Sequence, residues 1–492
     1  MSPRNSHLYA VRDLKAWFAP PSATALTLGA VALLLGGCAA GPDFSAPGPP
    51  TSSGYTDAPL TELAASGTAL VPGQAPPGQW WTVFSAPRLN ETVQLALRGN
   101  RDLAAAQKNL AQAAEIAHAS TAALYPEVDY NAAIGRQKLG AASLGDAGFP
   151  TFTYYSVGPS VSYVLDYTGG VHRAIEAQGA QVDYQRYQLD AAYLSLTGNV
   201  ALAALRIGSA RAQIDRLEYL LGEDEKNLEF VQKSFAAGSV SRVDVLSAQS
   251  QLANDQTLVP PLRQELSVAR HQLSVLVGRS PADWSPPDFD LKELVPPQRL
   301  PLTLPSELVH RRPDILAAEA QLHAAAANVG VATANLYPQI TLSAAVDLQA
   351  TSPGRLFNSS SVVGAVMAGL AGPIFDHGAR SDRQRAAQDA MQAALDYYEQ
   401  TVLASFGQVA DVLEALDHDA QMERAQQRAV EAAVANLELT RQSYEAGNVG
   451  ILQVLDAQRS NEQAQLGQVR ARAQRLQDAM QLLLAMGGLA SQ

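Results

Sequence analysis

The sequence predicts a mainly α-helical chain with a β-sheet portion, built twice from the same series of elements. Three observations lead to this fold class: long proline-free stretches with coiled-coil spacing, two regions of alternating apolar and polar residues, and an internal repeat. The 492 residues are 47% apolar and 17% charged, which is the composition of a folded protein. A fully disordered chain is therefore excluded.

The helices are predicted from the distribution of proline and of apolar residues. Proline is absent between Pro159 and Pro260 and again after Pro373. Because proline inside a helix costs roughly 3 kcal/mol, such stretches permit very long helices. A helix over residues 170–237 would be on the order of 100 Å long, so it must pack against other long helices.

Within these stretches, apolar residues step by three and four, as along the seam of a coiled coil. In the second stretch they are Leu466, Val469, Ala473, Leu476, Met480 and Leu483. The first stretch follows the same rule over residues 217–235, but Asp224 interrupts the seam.

Alternation predicts β-strands at residues 128–134 and 340–348, with partner strands at 151–165 and 360–372. Four strands are too few to close a barrel, since the smallest single-chain barrels have about eight. An open sheet edge cannot lie in lipid. Either several chains pool their strands into a transmembrane β-barrel, or a small soluble sheet caps a helical bundle.

The chain contains an internal duplication. Residues 102–107 match 314–319, and Leu-Tyr-Pro at 124–126 recurs at 336–338, both with a shift of 212 (314 − 102). Residues 235–249 match 444–458 with a shift of 209 (444 − 235). Two ungapped matches, in order and with nearly equal shifts, indicate a repeat. Each copy is expected to hold a helix, two strands and two long helices.

The N-terminus has the order of a secretory signal, because three basic residues precede an apolar run at residues 23–35. The run is shorter than the about 20 residues that span a bilayer. It ends in Leu35-Gly36-Gly37-Cys38, which resembles the bacterial lipobox. That resemblance implies a covalent lipid on Cys38 and, with Ala39 following, an anchor in the outer membrane. The alternative is a buried free cysteine after a fortuitous apolar run.

These features predict four segments. Residues 1–37 form a lipoprotein signal peptide, and residues 38–79, rich in Pro and Gly, form a lipid-anchored strap. The first repeat occupies residues 80–290, and the second occupies residues 291–492.

Composition and motifs argue against several functions. The net charge of −12 argues against nucleic acid as a partner, because phosphate binding needs clustered Lys and Arg. No nucleotide-binding or nucleophile motif occurs, and the histidines have no metal-ligand spacing. We therefore expect no enzyme activity, no metal and no cofactor apart from the lipid on Cys38. Trp80 and Trp81 could form a sugar platform, but packing of the strap onto the first helix is the preferred interpretation.

Five motifs together carry a family resemblance. They are Cys38, the Trp80–Phe84 segment with Leu89, the doubled Leu-Tyr-Pro helices, residues 373–378 and two glycine turns. They resemble the TolC-like outer-membrane efflux proteins, in their lipid-anchored NodT-type branch. The resemblance implies a homotrimer in which four strands per protomer form a twelve-stranded β-barrel, continued by a periplasmic α-helical barrel.

The resemblance also implies the function and the partners. Family members are the outer-membrane channels of tripartite efflux systems. They pass drugs and toxic compounds outward from a periplasmic adaptor and an inner-membrane transporter, here expected to be of the RND type. The expected location is the outer membrane, with lipid contact and a periplasmic extension.

Site residues are implied at the periplasmic end. The turns expected to contact the adaptor are Gly238, Ser239 and Val240 in the first repeat and Gly447, Asn448 and Val449 in the second. Leu452 and Asp456 are four residues apart, so they share a helix face. Threefold symmetry would turn them into an apolar ring and an acid ring that gate the pore. The alternative for Asp456 is a solvated residue near a turn.

Two other functions stay open. One is a periplasmic coiled-coil adaptor or structural lipoprotein, although adaptors usually carry one helical hairpin rather than doubled helix–strand–helix units. The other is the outer-membrane duct of a type I protein secretion system, which shares the fold.

Overall fold

The computed structural model of the chain describes residues 40–48, 52, 54–57, 68–138, 150–295 and 297–487. The predicted signal peptide and Cys38 lie outside these residues. The elements of the first half are β1 (Ala69–Pro72), α1 (Pro87–Gly99), α2 (Arg101–Ser120), β2 (Glu127–Gln137), β3 (Phe152–Leu165), α3 (Gly170–Ala236), α4 (Arg242–Gln256) and α5 (Val259–Leu276). Those of the second half are β4 (Arg299–Leu302), α6 (Pro305–Leu308), α7 (Pro313–Ala334), β5 (Gln339–Ala350), β6 (Val362–Ala371), α8 (Ala379–Glu445) and α9 (Ile451–Ala485).

The two longest helices have the same length. α3 and α8 each contain 67 residues, which corresponds to about 100 Å at 1.5 Å per residue. α3 begins at the predicted residue and ends one residue earlier than expected. The seam residues Leu466, Leu476 and Met480 of α9 are buried, as the spacing predicts.

The second long helix that was expected in the first half is interrupted at residues 257–258, so that it forms two helices, α4 and α5. The N–H groups of Thr257 and Leu258 donate three residues back, to the carbonyls of Asn254 and Asp255, which tightens the last turn of α4. Pro260 and Pro261 then occupy the first turn of α5, where their missing N–H groups cost nothing. In the second half, which has no proline here, α9 runs unbroken for 35 residues.

The four predicted strands form one antiparallel sheet in the order β2-β3-β5-β6. Its register places Val128, Val161, Ala344 and Val366 in a single row across all four strands. The neighbouring row, on the opposite face, contains Asp129, Ser160, Ala345 and Ala365. The first row is thus apolar and the second small or polar, and Val128 and Val366 are largely exposed. The sheet is open, with β2 and β6 as its edges.

A second, two-stranded sheet was not predicted. β1, in the strap, pairs in parallel with β4, from Ala69 opposite Arg299 to Pro72 opposite Leu302. The pairing joins residues 230 positions apart (299 − 69), so no local pattern announces it.

The main core lies beside the strap. Trp80, Trp81 and Phe84 are fully buried. Trp81 Nε1 donates to Asn90 Oδ1 of α1 over 3.1 Å, and Trp80 Nε1 donates to Thr197 Oγ1 of α3 over 3.1 Å. The tryptophans therefore pack the strap onto the first helix, and their indole faces are not available to a sugar.

The chain divides into two compact units. Of the described residues, one unit contains 40–42, 122–138, 150–174 and 327–385. The other contains 43–48, 52, 54–57, 68–121, 175–295, 297–326 and 386–487. Each unit takes residues from both halves of the sequence. In the part of the chain that the structure describes, no helix has the length and apolar character needed to cross a membrane.

Candidate functional site

The two predicted glycine turns have the same backbone structure. Gly238 and Gly447 both have φ +75°, a left-handed conformation that glycine adopts without strain. After each glycine, the next N–H reaches back five residues: Ser239 donates to the Ser234 carbonyl and Asn448 to the Ser443 carbonyl, both over 2.9 Å. This is the Schellman motif, which ends a helix and satisfies its last carbonyl groups.

The helices that follow the two turns start differently. Ser241 and Asp244 form a capping box at the start of α4, in which the Ser241 N–H donates to Asp244 Oδ2 over 2.8 Å. α9 starts after Gly450, which provides no side-chain cap. Asp244 was not predicted as part of the site, although the Ser-x-x-Asp spacing is a known helix-start pattern. The first turn therefore carries an acid that the second lacks.

The structure brings part of the predicted site together. Gly238, Ser239, Val240 and Leu452 line one groove of about 490 Å³, which also reaches Asp244. Beneath it, the side chains of Val231, Ala248, Ile451 and Val454 form a small buried cluster. The residues of the second turn, Gly447, Asn448 and Val449, do not line this groove.

Leu452 and Asp456 lie on one face of α9, as their spacing predicts. Leu452 is 42% exposed, and the Asp456 side chain is 68% exposed, whereas Val454 between them and Ala457 directly after them are buried. The exposed pair therefore faces away from the packing of its own chain. Whether this face lines a pore depends on other protomers, so the gate role stays a prediction.

The Asp456 carboxylate has a charged partner. Its Oδ1 forms an ion pair with Arg459 Nη2, one helical turn further along α9. Arg459 Nη1 also contacts Gln251 Oε1 of α4 over 3.4 Å. Arg459 was not predicted as part of the site, although oppositely charged residues three apart on a helix are neighbours. The acid that was predicted to form a ring at the gate thus has a cation beside it.

The strap is fastened close to the predicted lipid site. Ala40, two residues after Cys38, donates its N–H to the Thr168 carbonyl over 2.9 Å and accepts a hydrogen bond from Arg173 Nε over 3.2 Å. Cys38 itself is outside the described residues, so its lipidation stays a prediction.

Two histidines contact carboxylates. His172 Nδ1 lies 2.7 Å from Asp166 Oδ2, and His323 Nε2 lies 2.9 Å from Glu176 Oε1. His323 also stacks on Phe44 of the strap, with ring centroids 4.3 Å apart. Among the described residues, no group of three or more His, Cys, Asp or Glu side chains could hold a metal ion.

Comparisons with known proteins identify the family. The sequence model for the family described as outer membrane efflux protein matches residues 92–279 and again residues 304–488. The chain is 32% identical over 354 residues to the pyoverdine export outer membrane protein OpmQ of Pseudomonas aeruginosa, covering 69% of this chain and 72% of OpmQ. It is 28% identical over 342 residues to the probable outer membrane lipoprotein SilC of Salmonella typhimurium, covering 70% of this chain and 73% of SilC.

A solved structure shares the fold. The outer-membrane channel OprN is 27% identical and superimposes with a TM-score of 0.84, covering 92% of this chain and 99% of the OprN chain. These similarities exclude the alternative of a periplasmic adaptor. The chain belongs to the outer membrane efflux protein family and is a TolC-like efflux channel protein of the outer membrane, not an enzyme.

Proposed function

We propose that the chain works as a homotrimer whose protomers each contribute β2, β3, β5 and β6 to one twelve-stranded transmembrane β-barrel. The open sheet supports this, because its two edge strands have unpaired backbone groups that lipid cannot satisfy. Its apolar row at Val128, Val161, Ala344 and Val366, which is exposed on both edge strands, suits contact with lipid. The long helices α3 and α8 then continue the channel into the periplasm as an α-helical barrel.

The channel would be the last component of a tripartite system. We infer a periplasmic adaptor that binds at the glycine turns and an inner-membrane transporter of the RND type that supplies the cargo. OpmQ is named for pyoverdine export, which favours a small-molecule cargo over the protein cargo of a type I secretion duct. A lipid on Cys38 would hold the strap at the membrane, as the name of the lipoprotein SilC suggests.

The pore gate would lie at Leu452 and Asp456. In a trimer, three copies of the exposed Leu452 side chain form an apolar constriction, and three copies of Asp456 form a ring above it. Arg459 lowers the net charge of that ring, because each acid is paired within its own helix.

The observation that carries the trimer is the open four-stranded sheet, and disulfide cross-linking of its edges tests it. If three sheets close one barrel, β2 of each protomer pairs with β6 of its neighbour. We expect a cysteine at Ala132 in β2, combined in turn with cysteines along residues 363–371 of β6, to give covalent trimers in oxidised outer membranes. Pairing should recur at alternate β6 positions, because side chains alternate between the two faces.

The matched control is a cysteine pair at Ala132 and Glu225, of which the second lies on an exposed face of α3. That pair should give no covalent trimer. A protein that stays monomeric in mild detergent, with no cross-link at any β6 position, would contradict the proposal.

A further inference from the structure

Three carboxyl groups lie near one another among the packed helices, two of them buried and one half-buried, and the channel function does not use them. Asp224 of α3 interrupts the coiled-coil seam in the sequence, and it is buried, with 4% of its surface exposed. Asp255, at the end of α4, is also buried. Glu462 of α9 is close enough to both for their charges to affect its pKa. Each of three helices thus places one acid in this group, which we call the acid cluster.

The cations of the surrounding helices are directed elsewhere. Lys226 Nζ of α3 lies 2.9 Å from Glu223 Oε1, and Arg441 Nη2 of α8 lies 3.9 Å from Glu223 Oε2. On α9, Arg459 pairs with Asp456. α4 presents the uncharged Gln251, which donates from Nε2 to Asp255 Oδ2 over 2.5 Å. Among the described residues, none of these three cations forms an ion pair with a member of the acid cluster, although Arg459 reaches Gln251 over 3.4 Å.

Two polar atoms in the cluster lack partners. Asp224 Oδ2 is buried without a hydrogen-bond donor among the described residues, and so is Gln458 Nε2 without an acceptor, in a side chain that is 3% exposed. Asn227 Nδ2 donates a hydrogen bond to Oε1 of the same Gln458 side chain over 2.8 Å. A buried carboxylate oxygen without a donor favours the protonated acid, because a proton lets one carboxyl donate to the next.

The pKa values of Asp224 and Glu462 agree with this geometry. Burial, then a hydrogen bond with Asp255 and repulsion by Asp255 and Glu223, raises the pKa of Asp224 to about 7. Burial, then repulsion by Asp224, raises the pKa of Glu462 to about 8. These acids thus titrate near neutral pH.

A cavity gives the cluster access to solvent. It encloses about 290 Å³ between α3, α8 and α9, and its lining includes Glu223, Gln458 and Glu462. Arg216, Glu438 and Arg441 line the same cavity, so both signs of charge are present along it. Protons can therefore exchange at Glu462 without unfolding of the helices.

We propose that the acid cluster is a proton-binding site that holds α3, α4 and α9 together when protonated and separates them when deprotonated. A proton shared by Asp224 and Asp255 links α3 to α4, and protonated Glu462 allows α9 to pack against both. Without those protons, two or three negative charges repel one another inside the packing. Unfolded carboxyls titrate near pH 4, so the native state binds more protons from about pH 4 to pH 8. The stability of this region therefore falls as the pH rises through that range.

Infrared spectroscopy of the full lipoprotein in detergent tests the site directly. We expect the C=O stretching band of protonated carboxyls to be present at pH 6 and to disappear by pH 9. The double variant Asp224→Asn/Glu462→Gln should lose a large part of that titrating band, and the rest belongs to Asp419, because burial and a hydrogen bond with Asp478 raise the pKa of Asp419 to about 7. The matched control Glu225→Gln/Glu431→Gln removes two exposed acids from long helices and should keep the band. A band of equal size in both variants would overturn the proposal.

Thermal unfolding and amide hydrogen exchange provide the second test of the acid cluster. Between pH 6 and pH 9 the thermal midpoint of the wild type should fall by several degrees more than that of the double variant. Hydrogen exchange, corrected for the intrinsic effect of pH, should increase in residues 242–256 and 455–466 of the wild type alone. A wild-type midpoint that is independent of pH would contradict the site, as would restoration of the midpoint at pH 9 by Ca²⁺, which would identify a cation site instead. If the double variant does not fold, Glu462→Gln alone carries both measurements.

Discussion

On the exposed face of α9, the charge of Asp456 is held beside that of Arg459, one turn away. Exposed pairs of this kind contribute little to stability, with a median of roughly 0–1 kcal/mol. Their importance at this position would be electrical, because three copies of each side chain would surround a narrow pore. The ion pair therefore leads to a prediction about ion preference that differs from the prediction for an unpaired acid.

Substituting one member of the pair should shift ion preference in opposite directions. Two charges ~4 Å apart interact by about 1 kcal/mol in water, enough for a several-fold change in permeability ratio. We expect Asp456→Ala to lower the preference for K⁺ over Cl⁻ in planar bilayers and Arg459→Ala to raise it. The double variant Asp456→Ala/Arg459→Ala should lie near the wild type. Selectivity that is the same in all four proteins would show that this face lies away from the ion path.

Among the elements, the two turns have a common design, in which glycine closes a Schellman motif between a 67-residue helix and its successor. A Cβ added at Gly238 or Gly447 would meet no atom within 4 Å. Replacement there would cause no collision, so its cost would come only from the left-handed backbone. Substitutions at Gly238 and Gly447 are therefore suitable for measuring the cost of the left-handed backbone alone.

Gly447→Ala should lower the free energy of unfolding by about 1–2 kcal/mol, because a Cβ disfavours the left-handed conformation. Gly447→Asn should lower it less, since asparagine tolerates this conformation better than alanine. Thermal unfolding of the purified channel in detergent measures both, and Gly222→Ala in the interior of α3, where a Cβ also meets nothing, is the control. Stabilisation by Gly447→Ala would contradict the assigned conformation.

The elements also show how far the sequence could be interpreted. The bounds of α3 were predictable to one residue, because the absence of proline and a Gly-bearing turn determine them locally. The interruption before α5 was harder to place, since Pro260 and Pro261 are compatible with a helix start as well as a helix end. β1 could not be predicted, because its partner β4 lies far along the chain. Asp224 was recognised as an interruption of the seam, but its partners come from two other helices.

At the scale of the whole molecule, the two copies of the repeat do not fold into separate bodies. Each compact unit contains residues from both halves, and the four-stranded sheet joins the two halves by pairing β3 with β5. The sequence revealed the repeat and the four strands of this sheet, but not the pair β1 and β4. The pairing order of the sheet came only from the structure, because it depends on which edges of two similar hairpins meet.

Two neighbouring residues of β6 distinguish the faces of this sheet. Val366 belongs to the apolar row and Ala365 to the opposite row. A lysine on the lipid face of a barrel costs roughly 2–4 kcal/mol at the bilayer midplane, whereas lumen substitutions are tolerated. We expect Val366→Lys to reduce the amount of trimer in outer-membrane fractions and Ala365→Lys to leave it close to the wild type. Equal losses in both variants would argue against a lipid-facing row.

The equal lengths of α3 and α8 restrict which insertions and deletions these helices can accept during evolution. An insertion in one of these helices displaces its turn along the axis by about 1.5 Å per added residue and rotates every later side chain about that axis by about 100°. Only a compensating change in the other helix brings the two turns level again. Insertions and deletions in this part of the chain should therefore occur in matched pairs, in multiples that preserve the coiled-coil spacing.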